Sequence, residues 1–253
     1  MIQSVDRAAR VLHLLASGPA SLGLADIARG TGLAKATAHG LLRTLENTKL
    51  VRQDPVTGRY SLGVAVLELS NAYLGGSPLR ARAVMAASRL SVETDEAVWV
   101  VELVAERIVV VHHHLSPNEM MASLNVGASI PWHATAFGQA IVAHLPADEL
   151  TALLKRPRVA LTGRTLTRVR ELRNRLGEVA RQGLAVENQE ASVGDAAVAA
   201  PVLDHNGAPI GAIGIVGPAE RILGEDCLPR QGAAVQRAAN AVRKELLGSV
   251  AAR

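Results

Sequence analysis

Residues 24–63 read LADIARGTGLAKATAHGLLRTLENTKLVRQDPVTGRYSLG, and this stretch decides the fold. Leu24, Ile27 and Ala28 recur at helical spacing and give a first short helix one apolar face. Gly30-Thr31-Gly32 stops that helix, because glycine accepts backbone angles that other residues avoid. A second helix follows, with Leu41, Leu42 and Leu45 on its inner side. Beyond Leu50, a strand through Val51, Arg52 and Gln53 meets Arg59-Tyr60-Ser61-Leu62 across the turn Pro55-Val56-Thr57-Gly58. That order is a winged helix-turn-helix. Its second helix is suited to a major groove and its basic hairpin to the flanking phosphates.

Positions 36, 39, 40 and 43 share one face of the second helix, which sets Ala36, His39, Gly40 and Arg43 toward DNA, with Lys35 and Thr37 beside them. His39 and Arg43 can reach base edges together, and arginine pairs in a bidentate way with guanine. Gly40 lets the backbone approach DNA closely but supplies no readout. Arg52 and Arg59, in the hairpin, are the expected phosphate contacts. The same residues would also suit the solvated face of a purely structural helix, and the distribution of charge bears on that choice. Residues 1–62 hold eight basic groups and four acids, an excess of four that equals the net charge of the whole chain, +4. The remainder balances to zero. Only the N-terminal segment therefore carries the cationic surface that displaces counterions from a polyanion.

At 253 residues and 49% apolar composition, the chain can build one small and one medium domain, each with its own core. The expected division is a DNA-binding domain over 1–62, a linker helix and hinge over 63–76, and a second domain over 77–253. No uncharged apolar run is long enough to span a membrane. Asp6, Arg7 and Arg10 interrupt the apolar residues that a signal peptide would need. The single cysteine, Cys227, can form neither an intrachain disulfide nor a thiolate metal site. A cytoplasmic setting fits.

A helix is expected over 3–16, with Ser4 as its cap and Ala8, Val11, Leu12 and Leu15 inward. Residues 64–74 form a connecting helix, and Gly75-Gly76-Ser77-Pro78 reads as a hinge. The second domain alternates helices (79–90, 133–145, 147–154, 167–182, 231–247) with strands (97–105, 108–115, 119–126, 184–188, 196–203, 209–216). Hairpins packed with helices indicate an α+β sheet domain.

The residues carry a clear resemblance. SVDRAARVL, LADIARGTGLAKATAHGLLRTLE and DPVTGRYSLG resemble the N-terminal domain of the IclR family of bacterial transcription regulators. IPWHATAFGQA, GLAVENQEASVG, AAPVLDHNG and AIGIVGP resemble that family's effector-binding domain, in the same order. LGLADIA, LAKATAHG, IVVVHHHLSP and GAIGIVGPAERIL look most like its glycerol-operon repressor branch. The resemblance implies a winged-helix homodimer or homotetramer on a pseudo-palindromic double-stranded operator, a GAF-like C-terminal domain, a small-molecule effector and no enzymatic chemistry. Matching the family's ligand positions motif by motif implies Ala136 and Phe137, then Glu187, Asp195 and Ala197, then Gly214 and Val216.

Ala197, Gly214 and Val216 offer no side-chain donor, which disfavours a small buried anion. Trp99, Trp132 and Phe137, three of the five aromatics, are candidate walls for something larger and flatter. A neutral or aromatic effector is therefore expected, with glycerol or glycerol 3-phosphate as the alternative. Other readings are weaker. On a strand, only His112 and His114 of His112-His113-His114 share a face, and a metal would need further ligands such as His133, His144 or Glu119. Asp195, His205 and Ser192 suggest a hydrolase, but no Gly-x-Ser-x-Gly elbow occurs. No metal or cofactor is expected. The competing function class is a ligand-binding sensory module without sequence-specific DNA recognition.

Overall fold

The structure is a computed structural model that describes residues 2–105, 107–115 and 125–250. The chain divides after Gly76 into two compact units.

In the first unit, α1 (Gln3–Ser17), α2 (Leu24–Thr31) and α3 (Lys35–Asn47) precede the short strands β1 (Val51–Gln53) and β2 (Tyr60–Leu62), and α4 (Val64–Gly75) closes it. Val11, Leu15, Ile27, Leu42, Leu45, Val51 and Tyr60 form one buried core. Gly32 ends α2 in the left-handed conformation at φ 68°, and Leu33 N–H returns 2.9 Å to Ala28 O. The reversal is complete within three residues, which is why α3 can cross α2 so soon. Gly63 is also required, since a Cβ there would stand 2.1 Å from Lys49 O. Helix α1 starts one residue before the expected cap: Ile2 holds the N-cap position without a side-chain hydrogen bond, so Ser4 does not cap it. Helix α4 buries none of its residues within the chain, and Val64, Leu67, Leu69 and Tyr73 are all more than half exposed.

The second unit contains α5 (Pro78–Thr94), β3 (Ala97–Val104), β4 (Arg107–His114), β5 (Ser129–Ile130), α6 (Ala136–Val142), α7 (Ala147–Leu154), α8 (Val169–Gln182), β6 (Ala185–Asn188), β7 (Asp195–Leu203), β8 (Pro209–Pro218), α9 (Ala219–Ile222) and α10 (Cys227–Val250). Its six strands pair antiparallel in the order β5-β4-β3-β8-β7-β6. Val101, Val110, Ala197, Ala199 and Ala212 project from one face onto α6 and α8. Alternate residues on the other face meet α5 and α10.

Several boundaries differ from the expectation. Helix α6 starts at Ala136 rather than 133, because residues 131–135 form a turn that Thr135 caps by accepting from Gly138 N–H at 3.2 Å. A Cβ on Gly138 would lie 2.3 Å from Trp132 Cα, so the turn folds back only over glycine. The expected strand over 119–126 falls largely outside the described residues, while Asn125 and Val126 lie in no strand and β5 follows at Ser129–Ile130. Ser77 is no free hinge residue. Its hydroxyl oxygen accepts from Arg80 N–H at the start of α5, and its hydroxyl donates to Glu102 Oε1 on β3. Gly75 is the last residue of α4, and Gly76 caps it with its N–H 3.2 Å from Ala72 O and 3.1 Å from Tyr73 O.

Candidate nucleic-acid interface and effector site

Helix α3 separates its two faces cleanly. Ala38, Leu42 and Leu45 are buried, whereas Lys35, Ala36, His39, Gly40 and Arg43 are exposed and Thr37 is half-buried. Among the described residues, no ion pair or side-chain hydrogen bond engages Lys35, His39 or Arg43. Ala34 stands at the N-cap with no side chain able to accept, so the first-turn N–H groups keep the positive end of the helix dipole uncovered. A Cβ on Gly40 would meet nothing within 4 Å, so packing does not require glycine there. The exposed face thus places two cationic groups and an imidazole on one side of a helix whose other side is fixed to a core.

The hairpin is rigid at its tip. Asp54 Oδ1 accepts from Val56 N–H at 2.8 Å and Thr57 N–H at 3.0 Å, and these bonds hold its carboxyl below the usual carboxylate range. Gly58 takes φ 67° to close the turn. Arg52 donates from Nε to Ser61 Oγ at 2.9 Å across the strand pair and stays exposed. Arg59 departs from the expectation. It is half-buried and donates to Ser21 twice, from Nε to Oγ at 3.0 Å and from Nη2 to the carbonyl at 2.7 Å. Beside it, Leu22 and Tyr60 exchange backbone hydrogen bonds of 2.9 and 2.8 Å. Arg59 therefore ties the hairpin to residues 21–22, a role with no local signature because Ser21 lies 38 positions away.

In the second unit, strand register collects the expected effector residues on the sheet face that meets α6. Val216 pairs with Ala197, and Ala197 pairs with Glu187; one step along, Trp99 pairs with Gly214 and Gly214 with Ala199. Asp195 follows two positions before Ala197 on the same face of β7. Ala136 and Phe137 come from α6, and Phe137 stacks on Trp99 with ring centroids 5.6 Å apart at 25°. The buried Trp99 Nε1 has no hydrogen-bond partner among the described residues. Trp132 packs against the same core cluster and meets His133 edge-on.

Two of these residues do other work than expected. A Cβ on Gly214 would lie 2.3 Å from Val198 O and 2.7 Å from Ala199 Cα, so glycine there serves close strand packing rather than pocket space. Glu187 is buried, and its Oε1 accepts from the N–H groups of Glu190 and Ala191. Burial pushes its pKa up to about 7 against the opposing pull of those two N–H groups, with the Glu190 and Asp195 carboxylates adding to the rise. Glu190, also buried, accepts from Gln139 Nε2 and Arg175 Nη1, each at 3.1 Å. Burial raises its pKa even with Arg175 alongside. Gln139 and Arg175 also bind the carbonyls of His133 and Val186. Gln139 and Glu190 sit within the quoted motifs, which was the one available signal for this network.

The remaining candidates are dispersed. A bulge opposite Val100 and Val101 sends His112 and His114 to the α5 face, whereas His133 and His144 bond backbone carbonyls of Val159 and Ala140 at 3.0 Å on the α6 side. Burial lowers the His112 pKa, with Arg80 adding to the effect. No group of three metal-ligating side chains forms among the described residues, and Glu119 lies outside them. Asp195 opens β7 and His205 lies two residues past its other end, about 30 Å away at strand spacing, so no triad assembles. No described helix is long and apolar enough to cross a membrane.

Comparison with known proteins accounts for both halves. Residues 4–55 match the IclR helix-turn-helix domain, and residues 71–244 match the C-terminal domain of bacterial transcriptional regulators of the IclR type. The chain is 40% identical over 246 residues to the glycerol operon regulatory protein of Streptomyces coelicolor, covering 97% of this chain and 96% of that protein. It is 42% identical to its namesake from Streptomyces griseus, covering 87% of each chain. Among solved structures, a regulator from Rhodococcus sp. RHA1 superposes with a TM-score of 0.86 at 30% identity, covering 99% of this chain and 100% of that one. With its DNA-binding and effector domains both accounted for, this chain belongs to the IclR family of bacterial transcriptional regulators and is not an enzyme.

Proposed function

We propose that the protein represses a catabolic operon from the cytoplasm. It binds a pseudo-palindromic operator as a homodimer or homotetramer and is released by a small effector held on the α6 face of the sheet. The observation that carries the reading half is the exposed set Lys35, His39 and Arg43 on α3, unpaired among the described residues. The assembly rests on α4, whose exposed Val64, Leu67, Leu69 and Tyr73 need a second copy to bury them. In this reading residues 1–62 recognise DNA, 63–76 connect, and 77–253 sense.

The favoured effector is neutral and has a planar ring. Trp99 and Phe137 supply a flat apolar wall, the Trp99 N–H wants an acceptor, and Ala197 and Val216 leave nothing to pair with an anion. Glycerol or glycerol 3-phosphate is the second reading, favoured by the names of the two Streptomyces relatives. Strand β3 is the natural coupler. It presents Trp99 on one face and Glu102 on the other, and Glu102 holds Ser77, the residue after the Gly75-Gly76 link. An effector that prefers one position of β3 shifts the population of operator-competent chains by no more than that preference. Thermal-shift screening with glycerol, glycerol 3-phosphate and a panel of benzoates and amides tests the ligand class. A true effector raises Tm and also changes operator affinity. A polyol that does both while every ring compound fails decides for the second reading.

A further inference from the structure

We infer that the second unit carries another small-molecule site, separate from the effector row, which takes a compact ring-bearing molecule with one neutral polar group. At the turn end of the β3–β4 hairpin lies a cavity of about 570 Å³, walled by Leu103, Ile108, Trp132, Val142, Leu145 and Leu153. Its size falls within the range of small-ligand pockets, about 300–1,000 Å³. Leu103 and Ile108 pair directly across the hairpin, and Leu103 lies four residues along β3 from Trp99, about 13 Å at strand spacing. The cavity is therefore not the space beside the Trp99–Phe137 stack.

The roof supports the same conclusion. Helix α7 reads ADELTALL, yet Leu154 is its one fully buried residue, with Leu150 and Leu153 only half-buried. It makes sparse contacts with every other described helix and strand. Protein interiors are ordinarily close-packed, so an apolar helix held over an apolar hollow has burial still to gain. A ligand beneath α7 provides it. Exposed Glu149 and Arg156 frame the mouth. Opposite charges there favour an occupant whose polar end is neutral, a hydroxyl or an amide, over either ion.

The test uses the full chain labelled with 5-fluorotryptophan, whose two fluorine signals report Trp99 and Trp132 separately, and 2-phenylethanol as the probe. The Trp132 signal is expected to shift saturably while Trp99 stays still, and amide exchange over 147–154 is expected to slow. Ala152→Phe, which fills the cavity from the exposed side of α7, weakens probe binding about tenfold or more. Ala105→Phe does the same from the hairpin, should Ala152→Phe disturb α7. Val216→Phe, which obstructs the effector row instead, changes it by less than about twofold. Binding that moves Trp99 and is lost in Val216→Phe but kept in both cavity variants overturns the inference, as does the absence of any saturable shift. Neither result bears on whether α3 reads DNA.

Discussion

The exposed face of α3 and the proposed effector row hold their polar groups in opposite ways. On α3, Lys35, His39 and Arg43 stand exposed and unengaged by other described side chains. In the effector half, Glu187 and Glu190 are almost wholly buried, and both are tied to protein donors. The difference follows from what each partner brings. A duplex supplies phosphates and base edges to a surface that must stay uncommitted until it binds. A pocket inside a domain must satisfy its own buried polar groups before any ligand arrives.

The sharpest break between the two is expected at Gly214. Replacing it with leucine drives a side chain into the Val198 carbonyl, and the C-terminal unit should lose about 4 kcal/mol or more, seen as a collapsed calorimetric transition. A variant that melts like the parent would show that Gly214 does face open space. Next in size is Glu187. Its folded-state pKa of about 7 lies above the ordinary 4.5, so the fold favours the protonated form. That contribution is complete below about pH 4.5 and is lost as pH rises through 7. Glu187→Gln should therefore gain up to about 3 kcal/mol over the parent at pH 8 and nothing at pH 4. Parallel melting curves across that window would deny the buried carboxyl its role.

On the DNA side the effects are smaller and appear in binding rather than folding. Arg43→Ala should weaken operator binding by roughly 1–3 kcal/mol and flatten preference at one base pair per half-site, with Tm unchanged. Arg59→Ala should cost about 1 kcal/mol of stability in the N-terminal unit through the lost Ser21 bonds. It should also weaken binding to all sequences and shallow the salt slope by about one unit. A full salt-slope change without any loss of stability would mean that Arg59 leaves Ser21 in solution.

What was legible in the sequence was local. The turn after α2, the exposed stripe of α3, the Pro55–Gly58 reversal and the span of α7 all follow from residues within a few positions of one another. The proposed effector face was legible only through motif resemblance, because it depends on pairing across long separations. Nothing near Gly214 announces that Val198 and Ala199 lie against it. Nothing near Arg175 announces Glu190 or Gln139. The late start of α6 escaped for a related reason: Gly138 acts on the chain six residues earlier, through contact with Trp132. The four-residue α9 is too short to show a periodicity at all.

Helix α3 and its hairpin are expected to read a specific operator. Fluorescence anisotropy checks this by titrating the full chain onto labelled DNA from its own promoter region, with scrambled DNA of equal length as competitor, at several salt concentrations. The expected result is a preference for the promoter fragment of about 10³-fold or more that persists as salt rises, since base contacts are screened far less than phosphate contacts. Equal affinity for both DNAs at every salt concentration would contradict it and leave a sensory domain on a nonspecific basic module.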